Sequence, residues 1–390
     1  MILDKSSILL QKKLKFSSGA GKIKKIFVAA PNQADWHHYE IIFGLRSALF
    51  PDCQLIVWCN SKKIADELCV FLNKRSTACR IIEYGEKVPK SCSCILIAPK
   101  SAATFYSKWV RDAFICSIKN RKEIVVCPSM VSKDSDINWS KNHISNLRFE
   151  DCTRLTHGSV SLPVAGGNFL SLGGTYLWGN NQLSSFQEGD KARAQTIGVF
   201  STKNLLIGQD SGQNPNLLGH IDLFLTVTGC RSSISKQPIV LLGSVEKMGY
   251  NWPQQGDLWL DKLKNWLEQV SKVLREHALE VIRNPLPIIW NIYTNSFNIC
   301  TQNNCLVEAT KYSKTVWLPN IAQGNLDAST CEDLQRAQNA NIGFWRLLGF
   351  EVCLLQGDYF PLFASEGGLH CITNELERIY SPLIFTQYHA

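Results

Sequence analysis

The sequence predicts an α/β protein in which short strands and amphipathic helices alternate along the whole chain. Apolar, β-rich runs such as KIFVAA, QLIVWC, CILIAP and PIVLLG are separated by segments with helical periodicity. The order of these segments indicates about five strand-strand-helix-strand cycles. With 390 residues, of which 45% are hydrophobic and 19% charged, the chain is long and apolar enough to bury a substantial core.

The helices are predicted from apolar residues that recur at three- and four-residue steps. They cover 39–49, 64–72, the segment from Trp259 to Leu274 with Asp257 as its amino-terminal cap, and a segment near 333–347. Residues 1–22 are polar and basic and end in a Gly-Ala-Gly run, so we predict a leader or arm there. For residues 23–390 we predict a single domain.

Charge and composition limit the classes of partner. The chain has 41 basic and 33 acidic residues, a formal net charge of +8 that is spread along the sequence, so we expect no nucleic-acid partner. It lacks an apolar run long enough to cross a membrane, and its fifteen cysteines are irregularly spaced. We therefore expect a cytoplasmic protein with reduced thiols and no membrane partner, and delivery to another cell without a signal peptide stays open.

Two short motifs combine a carboxylate with a second group that carries chemistry. In Trp109-Val110-Arg111-Asp112 the charged pair follows a predicted strand, and in Gly219-His220-Ile221-Asp222 the polar pair enters the apolar run LFLTV. In an extended chain His220 and Asp222 would project to the same face, where they could flank one substrate atom. An ion pair at a helix end and a structural hydrogen-bonded couple are the alternative interpretations.

A candidate nucleophile lies near the end of the chain. Cys371 follows Gly367 and Gly368 closely, at the start of a predicted strand, whereas most other cysteines lie inside apolar runs. A cysteine is a good nucleophile only when a cation or an imidazolium stabilises its thiolate. This position therefore gains functional meaning only together with His220 and the two aspartates.

Five motifs, taken in order, resemble the pentein superfamily of guanidine-modifying enzymes, and more narrowly the bacterial peptidylarginine deiminase and agmatine deiminase group. They are Trp-x-Arg-Asp (109–112), Gly-Gly-Asn (166–168), Gly-His-x-Asp (219–222), Tyr-Thr-Asn-Ser (293–296) and Gly-Gly-x-His-Cys-x-Thr-Asn (367–374). The resemblance covers roughly residue 23 to the end. It implies a fivefold pseudo-symmetric α/β propeller, built from strand-strand-helix-strand units around a central channel that holds the active site.

The resemblance also implies roles for individual residues. Cys371 would be the nucleophile, His220 the general acid and base, and Asp112 and Asp222 the carboxylates that hold a guanidinium group. This fits the chemistry, because a planar cation with five N–H donors pairs well with carboxylates at its edges. We expect three further residues to contact the substrate: Trp109, Asn168 and Asn295. The chemistry needs no metal and no other cofactor.

One departure from the family pattern bears on the substrate. Agmatine and arginine deiminases have an acidic residue before the Gly-Gly pair, and this chain has Ala165. We therefore expect hydrolysis of an arginine side chain in a peptide or protein to a ureido group and ammonia, through a covalent thiouronium intermediate. Hydrolysis of agmatine, free arginine or another small guanidino compound, amidino transfer to an amine, and non-catalytic binding of arginine-bearing partners stay open.

Overall fold

The structure is a computed structural model that describes the chain in segments. These are residues 18–30, 36–100, 108–120, 123–128, 139, 142–151, 153–157, 165–172, 175–179, 203–207, 218–249, 252–291, 296–323, 326–365, 367–379 and 381–386. Within them the fold is mixed α/β, as the sequence predicts, and its strands belong to several sheets.

The strands of the described residues are short, and most are buried. They are β1 (Lys22–Ala30), β2 (Gln54–Cys59), β3 (Arg80–Glu83), β4 (Lys87–Val88), β5 (Cys94–Ala98), β6 (Phe114–Asn120), β7 (Glu123–Pro128), β8 (Arg148–Phe149), β9 (Arg154–His157), β10 (Phe169–Leu172), β11 (Thr175–Gly179), β12 (Lys203–Ile207), β13 (Leu225–Ser232), β14 (Pro238–Met248), β15 (Glu280–Asn291), β16 (Ser296–Ile299), β17 (Leu306–Ala309), β18 (Lys314–Pro319), β19 (Glu351–Leu355), β20 (Thr373–Ile379) and β21 (Ile384–Thr386).

Four long helices occur where the apolar periodicity predicts them. The helices of the described residues are α1 (Trp36–Ala48), α2 (Lys62–Asn73), α3 (Val110–Ala113), α4 (Gln254–Glu276), α5 (Ala328–Leu347), α6 (Phe360–Phe363) and α7 (Leu369–Ile372). The cap predicted at Asp257 is wrong. Pro253 occupies the N-cap position of α4 without a side-chain capping hydrogen bond, and Asp257 lies in the first turn, where it pairs with Lys247 at 2.7 Å.

The described strands form five sheets, and each sheet contains the same three-strand unit. In every unit an antiparallel pair is extended by a third strand that runs parallel to its neighbour. In strand order the units are β20-β1-β2, β6-β7-β9, β10-β11-β12, β13-β14-β15 and β17-β18-β19. This recurrence agrees with the cycles expected from the sequence.

Within the described segments, helical crossovers connect the parallel strands in three of the units. Helix α1 joins β1 to β2, α4 joins β14 to β15, and α5 joins β18 to β19. A parallel pair needs such a long connection, and α4 packs its apolar face onto β14 and β15. In α4 the buried face includes Leu263, Leu267 and Leu274.

The last part of the predicted arm is built into the fold. The backbone N–H of Ser18 donates to the carbonyl of Ser171, and the N–H of Gly21 donates to the carbonyl of Ala309 at 2.7 Å. Residues 1–17 lie outside the described segments. Among the described residues, no helix is both long and apolar enough to span a membrane.

Candidate active site

The candidate catalytic residues share one position in the recurring unit. Each lies in the turn that directly precedes the first strand of a unit. Helix α3 with Asp112 precedes β6, a 3₁₀ turn with Asp222 precedes β13, and helix α7 with Cys371 precedes β20. A 3₁₀ turn with Asn168 precedes β10 in the same way. Three units thus contribute side chains to one site, although the residues lie far apart in sequence.

Cys371 lies on a short helical turn, which corrects the expectation that it begins a strand. Helix α7 ends at Ile372, and strand β20 begins at Thr373. The buried Arg111 holds this turn, because its Nε donates to the carbonyls of His370, at 3.1 Å, and Thr373, at 3.2 Å. The Trp-x-Arg-Asp motif therefore positions the turn that carries the cysteine.

The expectation that His220 and Asp222 lie together on one extended strand is wrong. Residues Ile221–Leu223 form a 3₁₀ turn, and β13 begins only at Leu225. The side-chain Oδ1 of Asn168 accepts the backbone N–H of Ile221 at 3.0 Å, which fixes the start of the turn. The two side chains still approach the same centre. The 3₁₀ turn brings them there, whereas the sequence predicted that alternation along a strand would do so.

Asn168 is completely buried, and its carbonyl oxygen is committed to the backbone of Ile221. This contact gives it a positioning role in the structure, and its predicted contact with substrate remains a prediction. Trp109 is half-buried, and its indole ring lies against the backbone of Gly367, where an added Cβ would come within 2.3 Å of the ring. Asn295 lies outside the described residues.

Asp112 reaches the centre from helix α3. Its Oδ1 lies 3.4 Å from Nδ1 of His220 and accepts the backbone N–H of Gly167, also at 3.4 Å. The Asp112 and His220 side chains are 25% and 20% exposed, so they form the wetter side of the site. Asp222 and Cys371 form the buried side, at 1% and 2% exposure.

The structure brings three of the predicted residues within bonding reach of one small molecule. A ring nitrogen of His220, a carboxylate oxygen of Asp222 and the sulfur of Cys371 all lie within 4.8 Å of one another. The Cys371 Sγ is 3.8 Å from Asp222 Oδ2. An imidazole, a carboxylate and a thiol are also a ligand set that Zn²⁺ accepts, and among the described residues this is the group with that potential.

Burial and negative charge set the protonation of the site. Burial raises the pKa of the Cys371 thiol well above its usual value, and the charges of Asp222 and Asp112 raise it further. Burial likewise raises the pKa of Asp112, with His220 opposing the rise and Asp222 adding to it. A cation bound between the carboxylates would lower both pKa values.

Sequence reasoning missed two residues that contact this centre. His370 Nδ1 lies 2.7 Å from Asp222 Oδ2, and both groups are buried. Burial lowers the pKa of His370, and Arg111 lowers it further against the pull of Asp222, so the neutral ring donates to the carboxylate. Asn304 bonds to Cys371 from the loop before β17. A polar run, Thr-Gln-Asn-Asn, before an apolar strand was its signal in the sequence.

Comparison with known proteins finds likeness in structure and not in sequence. No protein-family model matches the chain, and no curated protein matches it. An agmatine deiminase of Enterococcus faecalis aligns with a TM-score of 0.59 and 15% identity, over 95% of this chain and 97% of that one. A structural-genomics target proposed to be an agmatine deiminase aligns with a TM-score of 0.60 and 12% identity, over 94% and 96%. At these identities the likeness shows a shared fold.

Proposed function

Since the chain has the fold of the pentein superfamily, as its motifs predicted, we propose that it is a guanidino hydrolase that acts through Cys371. The observation that carries the proposal is the approach of the Cys371 thiol, the His220 imidazole and the Asp222 carboxylate to within 4.8 Å. We also propose that the five units are arranged as a fivefold propeller around this centre.

The two aspartates favour a cationic substrate. Asp222 is 1% exposed, and one of its oxygens, Oδ1, has no hydrogen-bond partner among the described residues. A buried carboxylate oxygen without a donor is costly, and a guanidinium N–H would satisfy it with a charge-assisted hydrogen bond. Asp112, on the wetter side of the site, would pair with another edge of the same planar group.

The first chemical step begins when the guanidinium binds. Its charge offsets those of Asp222 and Asp112, so the pKa of Cys371 falls and the thiol passes its proton to the His220 imidazole, which leaves a thiolate and an imidazolium. The thiolate attacks the guanidinium carbon, His220 gives a proton to the departing nitrogen, and ammonia leaves. The product of this step is a thiouronium group in which the carbon is bonded to Sγ.

The second step consumes water. His220, which gave up its proton in the first step, accepts a proton from the attacking water, and the oxygen bonds to the thiouronium carbon. The carbon–sulfur bond then breaks, which releases the ureido product and regenerates the thiolate. Per turnover one guanidinium and one water give one ureido group and one ammonium ion.

Ala165 supports arginine within a peptide as the substrate. This residue caps the 3₁₀ turn of Asn168, is 5% exposed, and offers only a methyl group where related deiminases have a carboxylate. A free amine or α-ammonium group therefore lacks that partner, whereas a peptide arginine carries neither charge. Backbone contacts to the peptide would instead supply the binding energy that orients the guanidinium.

The test compares three substrates at equal concentration: a peptide with an internal arginine, agmatine and free arginine. We expect the peptide to release ammonia fastest and to gain about 1 Da per modified site, because an imino nitrogen is replaced by oxygen. Cys371→Ala is the matched control and should release none. Amidino transfer would change the mass of an added amine, and turnover of no guanidino compound would overturn the proposal.

A second candidate is agmatine hydrolysis, which is favoured by the names of the two structural neighbours. The same comparison decides between the candidates. If agmatine ranks first, the peptide assignment is wrong, while the roles proposed for Cys371, His220, Asp112 and Asp222 remain.

A further inference from the structure

Two half-buried thiols outside the candidate active site lie side by side. Cys69 belongs to the second half of helix α2, and Cys79 directly precedes strand β3. The thiol of Cys79 donates to the Sγ of Cys69, and the two sulfurs are 3.3 Å apart. Since the sulfurs of a disulfide are about 2.05 Å apart, an approach by about 1.3 Å would join them.

Hydrogen bonds distinguish the two thiols. The Sγ of Cys69 accepts from the Cys79 thiol and also from Nδ2 of Asn73, which lies 3.4 Å away. Two donors aimed at one sulfur stabilise the negative charge that an attacking sulfur must carry. Burial raises the pKa of Cys79, and its hydrogen bond to Cys69 raises it further, so Cys79 keeps its proton. Cys69 is therefore suited to attack first, and Cys79 to react second.

The turn between the two cysteines is short and closed by its own backbone. The N–H of Thr77 donates to the carbonyl of Leu72 at 3.1 Å, and Ser76 adopts the left-handed conformation, with φ at 58°. Strand β3, which follows this turn, lies at the edge of the first sheet. A disulfide would close the loop over residues 69–79 and fasten this edge strand to helix α2.

We propose that Cys69 and Cys79 are a reversible redox pair, which a small-molecule disulfide oxidises to a disulfide bond that fastens α2 to the start of β3. The thiolate of Cys69 attacks one sulfur of the small disulfide, whose S–S bond breaks, and the first small thiolate leaves. Cys79 then gives up its proton and attacks the Cys69 sulfur, which releases the second small thiolate. Two protein thiols and one small disulfide thus give one protein disulfide and two small thiols. Excess small thiol reverses the reaction.

The test incubates the folded, full-length protein with oxidised glutathione and stops the reaction with acid. The remaining thiols are then blocked with N-ethylmaleimide under denaturing conditions. Trypsin cleaves on both sides of each cysteine, so Cys69 and Cys79 fall in separate peptides, 64–74 and 76–80. We expect these two peptides to be linked, with a mass about 2 Da below the sum of their thiol forms, and to separate after treatment with dithiothreitol.

Two variants separate the roles of the thiols. In Cys79→Ser, glutathione should stay attached to Cys69, at a level at least about tenfold above that in the wild type, because the second thiol is missing. In Cys69→Ser, glutathione should attach to Cys79 at least about tenfold more slowly than it attaches to Cys69 in the first variant, because a protonated thiol is a poor nucleophile. Wild-type protein without linked peptides, or equally fast attachment to Cys79, would overturn the proposal.

Cys92→Ser is the matched control, because Cys92 is another half-buried thiol near Cys79, but its own thiol donates to the carbonyl of Cys94 at 3.1 Å. This variant should form as much of the linked peptides as the wild type. Loss of the link in Cys92→Ser, or a link between Cys79 and the peptide 91–100, would contradict the assigned pair. Peptide masses report this result whether or not the protein hydrolyses a guanidino compound.

Discussion

Gly167 lies against the side chains of His220 and Asp222, which makes its replacement by alanine a sensitive perturbation. A Cβ at this position would lie 2.6 Å from Nδ1 of His220 and 3.1 Å from both carboxylate oxygens of Asp222. To restore ordinary contact at 3.4 Å, the imidazole would have to move by about 0.8 Å. The new methyl group would also cover polar atoms that the substrate must reach.

A displacement of this size has a predictable cost. A shift of about 1 Å in a reacting group costs on the order of a hundredfold in rate, and overpacking costs about 1–3 kcal/mol of stability. We therefore expect Gly167→Ala to remain folded and to lose at least about a hundredfold in kcat/KM. The assay is ammonia release from the guanidino substrate that the wild type uses fastest, with thermal denaturation measured in parallel.

Gly219→Ala is the matched control, because Gly219 directly precedes His220 and a Cβ there meets no atom within 4 Å. It makes the same chemical change beside the same histidine, and turnover should stay close to that of the wild type. Turnover of folded Gly167→Ala within threefold of the wild type, or an equally large loss in Gly219→Ala, would contradict the prediction.

Three further predictions concern charge and the nucleophile. Asp112→Asn should abolish turnover yet raise Tm at pH 7.5, because burial raises the pKa of Asp112 and its ionised form therefore destabilises the free protein; the gain should vanish near pH 4, as thermal denaturation at both pH values will show. Burial lowers the pKa of His370, so its contribution to stability is complete above about pH 6.5 and is lost as pH falls, by at most about 1.4 kcal/mol per pH unit; urea unfolding of His370→Asn should show a shallower decline. Cys371→Ser should retain less than about a hundredth of wild-type turnover, measured as ammonia release, because a hydroxyl is a far weaker acid and nucleophile than a thiol.

Each of these predictions has an outcome that contradicts it. An unchanged or lower Tm of Asp112→Asn at pH 7.5 would mean that the carboxylate is already compensated in the free protein. An equally steep acid decline in His370→Asn would assign that decline to other groups. Turnover of Cys371→Ser above a hundredth of the wild type would remove the cysteine from the mechanism.

The parts of the fold that depend on local sequence were predictable. Helix α2 was expected over 64–72 and covers Lys62–Asn73, because a single amphipathic face decides it and Ser61 caps its start. Strands β2 and β5 of the first sheet were equally clear, since each is a short apolar run. The ends of elements were less predictable: β20 begins two residues after Cys371, since Arg111, 259 and 262 residues away from its two acceptors, holds the intervening turn.

The site was predictable only where a motif carries it. Asp112, His220, Asp222 and Cys371 stand in short motifs, and the structure brings them together. Asn304 and His370 make their contacts with residues 67 and 148 positions away in sequence, so the polar run and the motif that contain them do not reveal these partners. The commitment of Asn168 to the backbone of Ile221 likewise depends on how two units pack, which the sequence does not show.

The central claim is that Cys371 attacks a guanidinium carbon, and the mass of the acid-quenched protein during turnover tests it most directly. We predict a covalent adduct on the peptide that contains Cys371, with the mass of the substrate less one ammonia, about 17 Da, and its disappearance when the substrate is consumed. Cys371→Ala should form no adduct and release no ammonia. An adduct that maps to another of the fifteen cysteines, or ammonia release that persists in Cys371→Ala, would contradict the claim.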